Sequence, residues 1–273
     1  MSPSPAPQKP DYGIDAPGVV RNLFLVTAAG IVLWATVAFG LWTGRLSLPL
    51  GRVRLDFPLA TMGLWSAAGC GFMGVWMLWS SKTGKVRERE RFLDRISWTG
   101  NEQVLDVGCG RGLLLIGAAK RLTGGKATGI DLWQAEDLSG NRPEATLANA
   151  EREGVADRVE VKTADMRELP FPDETFDVVV SRAAIHNLYS APDREKAIAQ
   201  IARVLKPGGQ ALIDDIRHQR EYVASFAKHH CTDVHWLSSP VLPVAVGLIT
   251  MGSLYPAAFR VRKEGIPGGT RQP

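Results

Sequence analysis

The segment 104–112, V-L-D-V-G-C-G-R-G, constrains the fold of this 273-residue chain more than any other part of it. A short β-rich run is followed by glycines at alternate positions and by an apolar helical pattern that begins at Leu113. Glycines suit such a turn because its backbone adopts positive φ angles, and because a ligand approaches bare main chain at a helix N-terminus. The segment predicts a strand, a ligand-binding loop and a helix in succession. Taken alone, this pattern is also typical of dinucleotide-binding domains.

Short β-rich runs and helical patterns alternate after this segment, which predicts a parallel sheet covered by helices on both faces. The predicted strands are 104–107, 127–130, 159–161, 176–180 and 211–213. The predicted helices are 113–122, 143–152 and 193–205. The last of these helices begins at a Pro-Asp pair and is followed by Pro-Gly-Gly.

Two long stretches without a charged residue, 23–42 and 57–81, precede this region. A helix of about 20 residues is about 30 Å long, which matches the hydrocarbon core of a bilayer. The segment between the stretches contains three arginines and predicts a short polar turn. The sequence therefore predicts two transmembrane helices, at about 23–42 and 59–80, within residues 21–81. A cleaved signal peptide, a pair of buried core helices, and one span with an interfacial helix are the alternatives.

Small residues recur four apart in the second stretch, as Ala67 and Gly71 and as Cys70 and Gly74. Such spacing lets two helices approach closely. It predicts close packing within the helical hairpin or, alternatively, a homodimer.

Basic residues follow the second stretch directly: Lys82, Lys85, Arg87, Arg89, Arg91 and Arg95. Positive charge resists translocation, so this cluster predicts a cytoplasmic location for the following domain, 82–265, of an integral membrane protein. It also accounts for much of the basic character of the chain, whose net charge is +4, and we expect no nucleic-acid partner. The prolines before residue 20 predict a flexible leader, 1–20, and a flexible tail is expected at 266–273.

The three cysteines, Cys70, Cys109 and Cys231, are far apart and form no C-x-x-C pair. We therefore expect no metal site and no disulfide framework. Reduced thiols agree with a cytoplasmic domain.

Acidic residues at the ends of the predicted strands carry a resemblance to a known family. Asp106 lies two residues before the first glycine, Asp131 ends the second strand in T-G-I-D-L, and Asp165 follows the third in T-A-D-M-R-E-L-P-F. The order continues with F-D-V-V-V-S-R-A-A-I-H-N-L from Phe176 and L-K-P-G-G from Leu205. Over residues 86–216 the sequence resembles the class I S-adenosylmethionine-dependent methyltransferases, above all the small-molecule branch that contains quinone-biosynthesis C-methyltransferases.

The resemblance implies an α/β fold with a doubly wound, seven-stranded, mostly parallel sheet and S-adenosylmethionine as cofactor. It places Asp106 near the methionine moiety and Asp165 near the adenine amino group, with Met166 against the ring. Asp131 would accept hydrogen bonds from the ribose hydroxyls, as acids do at this position of doubly wound folds. The predicted cofactor-binding residues are Asp106, Gly108, Cys109, Gly110, Gly112, Asp131, Leu132, Asp165, Met166 and Ser181.

His186 follows the fourth strand at the edge of the sheet where ligands bind in such folds. Its ordinary pKa lies near neutrality, so it is the candidate catalytic residue, as a general base. A purely structural role is the alternative.

The resemblance also implies a closing helix, 221–230, and an antiparallel pair of strands, 234–238 and 258–263. Residues 240–256 are uncharged and apolar. We predict an insertion that contacts the membrane or covers the substrate site; core packing and a third span are the alternatives.

Anchoring concentrates an enzyme where a hydrophobic substrate dissolves. The sequence therefore predicts methyl transfer to a lipophilic small molecule such as a quinone, isoprenoid or lipid. Methylation of a soluble metabolite or a protein, and a non-catalytic membrane scaffold that binds S-adenosylmethionine, are the alternatives.

Overall fold

A computed structural model describes residues 9–238 and 254–265. The chain divides into two compact units. The unit that we call the helical unit comprises Gly13–Arg87 and Gln134–Gly140. The sheet unit comprises the remaining segments, Met1–Tyr12, Glu88–Trp133 and Asn141–Pro273.

The helical unit contains two long helices joined by a β-hairpin. In chain order its elements are α1 (Pro17–Ala38), β1 (Leu46–Leu50), β2 (Val53–Phe57) and α2 (Leu59–Trp79). The connection predicted as a polar turn is thus a pair of antiparallel strands. The prediction of a polar turn was wrong. It rested on the three arginines, whereas the alternation of apolar residues on either side of residues 51–52 is the pattern of two strands.

Helix α1 begins and ends earlier than the predicted 23–42. Pro17 lies in its first turn, where its fixed φ angle is favourable, and Phe39 ends it before Gly40, whose φ is 72°. Trp42 therefore lies beyond the helix, where its indole nitrogen donates to Thr36 Oγ1 at 2.7 Å. Helix α2 agrees with the predicted 59–80 to within one residue.

Small residues bring α1 and α2 together. A Cβ added to Gly30 would overlap the carbonyl oxygen of Gly63 and stand 2.9 Å from the Cβ of Ala67. One added to Gly71 would stand 3.3 Å from Thr27 Cγ2. The small residues of the second stretch thus serve packing within the chain.

One helix in the described part of the chain, α1, is long and apolar enough to cross a membrane. The second predicted span is an uncharged helix in the structure, and its transmembrane character stays a prediction.

The predicted flexible leader is partly ordered. Within the helical unit, the Lys85 ammonium donates to the Gly13 carbonyl at 2.8 Å and to Asp15 Oδ1 at 3.0 Å, and the amide of Ile14 donates to Ser139 Oγ at 2.8 Å. These hydrogen bonds fix the residues that precede α1. Sequence composition does not predict this order, because the partners lie on distant segments of the chain.

A π-helical turn, Ser80–Gly84, leads from α2 into α3 (Lys85–Leu93). The strands that follow are β3 (Gln103–Val107), β4 (Lys126–Asp131), β5 (Val159–Thr163), β6 (Phe176–Arg182), β7 (Leu205–Asp215), β8 (His235–Trp236) and β9 (Ala257–Arg262). The helices between them are α4 (Leu113–Ala119), α5 (Pro143–Arg152), α6 (Ala191–Val204) and α7 (Gln219–Lys228).

The sheet unit is built on a seven-stranded sheet with the order β5-β4-β3-β6-β7-β9-β8. The first five strands in this order are parallel, whereas β9 is antiparallel to both β7 and β8. The chain reverses its direction of winding between β3 and β6, which creates a crevice at the carboxyl ends of these strands. The predicted doubly wound, mostly parallel sheet is confirmed.

Apolar side chains from the strands and from α6 and α7 form the core of the sheet unit. Fully buried members include Leu105, Val179, Ile198, Ile201, Ile213, Tyr222, Phe226 and Phe259. The strand ends are thereby fixed, and with them the side chains that follow each strand. The apolar stretch 240–256 lies outside the described residues, apart from its last three.

Candidate functional site

The glycine loop follows β3 and precedes α4, as predicted. Gly108, Gly110 and Gly112 have φ angles of 75°, 52° and 85°. A Cβ on Gly108 would overlap that of Ala184, which follows β6. Both the backbone conformation and the close approach of two strand ends therefore require glycine here.

Asp131 lies at the end of β4 and holds the loops around it. Its Oδ2 accepts from the amide of Gly110 at 2.8 Å, and its Oδ1 accepts from the amide of Trp133 at 2.6 Å and from Asn141 Nδ2 at 3.1 Å. The carboxylate is partly exposed. Leu132 beside it is a large apolar side chain that is about half exposed. An acid and an apolar surface thus stand together where the resemblance places a ribose and a purine.

Asp106 is buried beneath the loop. Its Oδ2 accepts from the amide of Leu115 in the first turn of α4 at 2.8 Å. Burial raises the pKa of this carboxyl to about 8, against the opposing effect of that hydrogen bond. The structure places Asp106 at the predicted strand end, and its contact with the methionine moiety stays a prediction.

Asp165 follows β5, as predicted, but it is paired with an arginine that was not among the predicted site residues. The Arg167 guanidinium donates to both carboxylate oxygens, from Nε at 3.0 Å to each and from Nη2 to Oδ2 at 2.6 Å. This hydrogen bonding holds the pKa of Asp165 below its ordinary value. An adenine amino group would have to share Asp165 with this arginine. The D-x-R spacing of Asp165 and Arg167 is the sequence pattern that could have indicated this ion pair.

Met166 lies beside the glycine loop. Its terminal methyl group is 4.0 Å from the position of a Cβ added to Gly108. The structure therefore brings Met166 close to the glycine loop, and its predicted contact with the adenine ring stays a prediction.

Two predicted site residues face the protein interior. The Ser181 hydroxyl is buried and donates to the carbonyl of Val107 at 2.8 Å, which ties β6 to β3. Cys109 is also buried, and a Cβ on Gly129 would stand 2.7 Å from its Sγ. Burial raises the pKa of the Cys109 thiol. Because both side chains are buried, any contact of these residues with cofactor would come from their backbone.

Buried polar residues of α5, which no sequence motif indicates, hold the other side of the loop. Thr146 Oγ1 donates to the carbonyl of Gly110 at 2.7 Å, and Asn149 Nδ2 donates to that of Arg111 at 3.0 Å. Asn149 also exchanges hydrogen bonds with the backbone of Asp11, whose carboxylate lies 3.0 Å from the Arg111 guanidinium. Residues before α1 therefore contact the glycine loop within the sheet unit.

His186 and Asp215 form the second polar group at this sheet edge. His186 Nδ1 lies 2.6 Å from Asp215 Oδ1, and the His186 amide donates to Oδ2 at 3.1 Å. The carboxylate also accepts from the amide of Ile216 at 2.8 Å and from the Tyr222 hydroxyl at 3.3 Å. Asp215 contacts His186 across 29 positions of sequence, so no local motif indicates the pair.

The contacts around Asp215 hold the histidine ring in one orientation. Three donors converge on the Asp215 carboxyl group, namely the amides of His186 and Ile216 and the Tyr222 hydroxyl. With Asp215 ionised, His186 Nδ1 donates to it and Nε2 carries the lone pair of the neutral ring. The pair has the form of a general base held by a buried carboxylate.

The residues at the loop fit S-adenosylmethionine by the chemistry that they offer. Asp131 supplies carboxylate oxygens for hydroxyl donors, Leu132 and Met166 supply apolar surface for a purine, and the loop supplies backbone at a helix N-terminus. Among the described residues, no group of three or more His, Cys, Asp or Glu side chains lies close enough together to hold a metal ion.

Comparisons with known proteins identify the kind of domain that contains these residues. Residues 104–209 match the family model described as Methyltransferase domain, which begins in β3 and ends at the glycine pair of β7. Residues 104–209 therefore belong to a methyltransferase domain. Its cofactor is S-adenosylmethionine, as the sequence predicts.

Curated relatives match part of the chain. It is 32% identical over 142 residues to a sterol 4-C-methyltransferase from Caenorhabditis elegans, covering 52% of this chain and 39% of that protein. It is 35% identical over 125 residues to a demethylmenaquinone methyltransferase from Lactiplantibacillus plantarum, covering 45% and 48%. It is 35% identical over 140 residues to a phosphatidylethanolamine N-methyltransferase from Cereibacter sphaeroides, covering 50% and 63%. The chain thus spans less than two thirds of each of these relatives.

Solved structures share the fold. The cyclase SpnF superimposes with a TM-score of 0.53 at 20% identity, covering 66% of this chain and 82% of that one. A geranyl diphosphate C-methyltransferase from Streptomyces coelicolor A3(2) gives 0.50 at 15% identity, covering 65% and 78%. Because one of the two structures is named as a cyclase, the fold alone does not identify the reaction.

Proposed function

We propose that the chain is a membrane-anchored methyltransferase that acts on a hydrophobic small molecule dissolved in the bilayer. The observation that carries this proposal is the helical unit, in which two apolar helices expose large hydrophobic side chains along their length. Helix α2 has no charged residue, and α1 has one, Arg21, near its N-terminus. Such surfaces are unfavourable in water and suit lipid. The methyltransferase domain follows them in the same chain.

The relatives support the same class of acceptor. Sterols, demethylmenaquinone and phosphatidylethanolamine, for which three of the relatives are named, are all molecules of the membrane. The nature of the attacking atom differs among these names, so we propose the solubility class of the acceptor and not the atom that is methylated.

The basic residues from Lys82 to Arg95 support the orientation. Positive charge after α2 favours the cytoplasmic side for the methyltransferase domain, and two spans would place both termini there. We propose this topology with α2 as the second span. A homodimer stays a prediction, and Ala67, Gly71 and Gly74 do not support it because they pack against α1.

The pair His186–Asp215 would supply the proton chemistry. When bound, S-adenosylmethionine supplies an electrophilic methyl group. The domain has to align an acceptor atom with that group and keep water away. His186 Nε2 would take the proton of an acceptor hydroxyl or carbon acid as it becomes methylated, and Asp215 would hold the ring and stabilise its protonated form. Asp215 is thus a positioning residue.

The proposal is tested with membranes that contain the full-length chain and S-adenosylmethionine labelled in its methyl group. We expect the label to enter the organic extract, and to do so far less with Asp131→Ala. Label confined to aqueous metabolites or to protein would support the tether alternative and contradict a lipophilic acceptor. Binding of S-adenosylmethionine without any transfer would support the scaffold.

A further inference from the structure

The hairpin between α1 and α2 has two chemically different faces. Residues directly opposite each other in an antiparallel pair point to the same face, and neighbours along a strand point to opposite faces. The pairs on one face are Leu46 with Phe57, Leu48 with Leu55, and Leu50 with Val53. All six side chains of this apolar face are hydrophobic.

The opposite face is polar. It pairs Ser47 with Asp56 and Pro49 with Arg54. The Ser47 hydroxyl donates to the Asp56 carboxylate, which links the two strands on this side. Hydrophobic residues therefore alternate with Ser47 and Pro49 on β1 and with Arg54 and Asp56 on β2, as in a sheet that lies between water and an apolar phase.

The apolar face is exposed in the helical unit. Its six side chains are between 39% and 66% exposed, and every residue of both strands is exposed. A two-stranded hairpin is marginally stable alone in water, and a contiguous apolar surface on it marks a contact with another phase or molecule.

The position of the hairpin in the chain identifies that phase. Only Pro58 separates β2 from α2, and a short turn with Trp42 separates α1 from β1. The strands therefore lie where the chain leaves and re-enters the proposed bilayer. Tryptophan is enriched at this depth of a membrane.

The arginines of this segment also favour lipid as the contact of the apolar face. Arg45, Arg52 and Arg54 are exposed, and across the described ranges none of the three pairs with a carboxylate. Arginines at the rim of an apolar face bind anionic lipid headgroups and hold an element at the membrane surface.

We propose that the β1–β2 hairpin is a lipid-binding element that inserts its apolar face into the membrane interface where the α1–α2 connection emerges. The inference rests on the proposed membrane anchor and adds a second, interfacial contact to it. The lipid that it fits has an anionic headgroup. The hairpin would limit how far the two helices can slide or tilt in the bilayer.

Nitroxide labels on the full-length chain test this. In a Cys70→Ala background, separate Leu48→Cys and Ser47→Cys variants place the label on the two faces at neighbouring positions, and Leu55→Cys and Arg54→Cys repeat the comparison on β2. The proteins are reconstituted in vesicles of phosphatidylethanolamine and phosphatidylglycerol. Relaxation by oxygen, which concentrates in lipid, is compared with relaxation by a water-soluble nickel chelate. Val32→Cys in α1 reports on the anchor itself.

We expect oxygen to dominate at positions 48 and 55 and the nickel chelate to dominate at 47 and 54. If position 48 is as accessible to nickel as position 47 while position 32 remains in lipid, the hairpin is solvated, and the inference is wrong although the anchor stands. Nickel access at position 32 would overturn the anchor and the inference with it. Spin–spin broadening at position 48 that disappears on dilution with unlabelled protein would show that a second copy covers the face, which also overturns the inference.

The arginines give an independent readout. The double substitution Arg52→Gln and Arg54→Gln should reduce the oxygen preference at position 48 in these vesicles but not in vesicles of phosphatidylcholine alone. Equal effects in both lipids would contradict the selection of anionic headgroups.

Discussion

His186 Nδ1 lies 2.6 Å from Oδ1 of Asp215, whose side chain is only 1% exposed. The two residues lie on different segments at the carboxyl edge of the sheet, and the same carboxylate also binds the His186 backbone amide. A ring held in this way keeps one orientation, which is the requirement for a base that must meet an acceptor atom. The geometry thus favours the catalytic alternative for His186 over a purely packing role.

Replacing His186 by Gln should lower kcat by about 100-fold or more, since general-base catalysis contributes about 10²–10⁴. The affinity for S-adenosylmethionine, measured by calorimetry, should be nearly unchanged. Asp215→Asn should lower kcat and change its pH profile, which a loss of packing alone would not do. His235 is the matched control because it pairs with Asp233 at 2.9 Å on the surface, and His235→Gln should have wild-type kinetics. Wild-type kcat in His186→Gln would remove the base assignment.

The buried Asp106 should make stability depend on pH. Its pKa is raised to about 8 in the folded protein, so the folded state retains a proton that the unfolded state releases near pH 4. This contribution to stability is complete at low pH and is lost as the pH rises towards 8. Asp106→Asn, which stays neutral, should therefore melt with a weaker decline between pH 5 and pH 8 than the wild type. Parallel melting curves for the two proteins would contradict the burial of a protonated acid.

Two glycines in the long helices should differ in their tolerance of a side chain. A Cβ on Gly30 overlaps the Gly63 carbonyl, whereas a Cβ on Gly69 meets nothing within 4 Å. Gly30→Ile should destabilise the helix pair by about 1–3 kcal/mol or more, as overpacking does. Gly69→Ile should have little effect. The measurement is the midpoint of unfolding in sodium dodecyl sulfate, followed by tryptophan fluorescence. Equal midpoints would show that the two helices do not pack as described.

The glycine loop and the strand-end acids could be predicted from the sequence because their signals are local. The run V-L-D-V-G-C-G-R-G contains most of strand β3 and the turn that leads to the N-cap of α4, and Asp131 is placed by its strand. Partners that come from distant segments could not be predicted in the same way. Asp215 and Asn149 meet their partners, His186 and Arg111, only in the folded chain, because 29 and 38 positions of sequence separate them.

The β1–β2 hairpin is a different case. Its alternation, L-S-L-P-L and V-R-L-D-F around Gly51 and Arg52, was present in the sequence. The prediction of a polar turn rested on Arg45, Arg52 and Arg54, although these residues lie beside an apolar face. Period-two alternation was the stronger signal, since it specifies on which face each side chain lies.

Calorimetry of S-adenosylmethionine binding to the full-length chain in nanodiscs tests the assignment of the site most directly. Asp131→Ala removes an acceptor for hydroxyl groups and should weaken binding of S-adenosylmethionine and of its demethylated product by about 10-fold or more, as expected for losing hydrogen bonds to a charged group. Asp157→Ala, at a surface carboxylate beside β5, should bind as the wild type does. Melting temperatures of both variants should be compared, because Asp131 also accepts from the Gly110 amide. Undiminished affinity in a folded Asp131→Ala variant would contradict the account of this site.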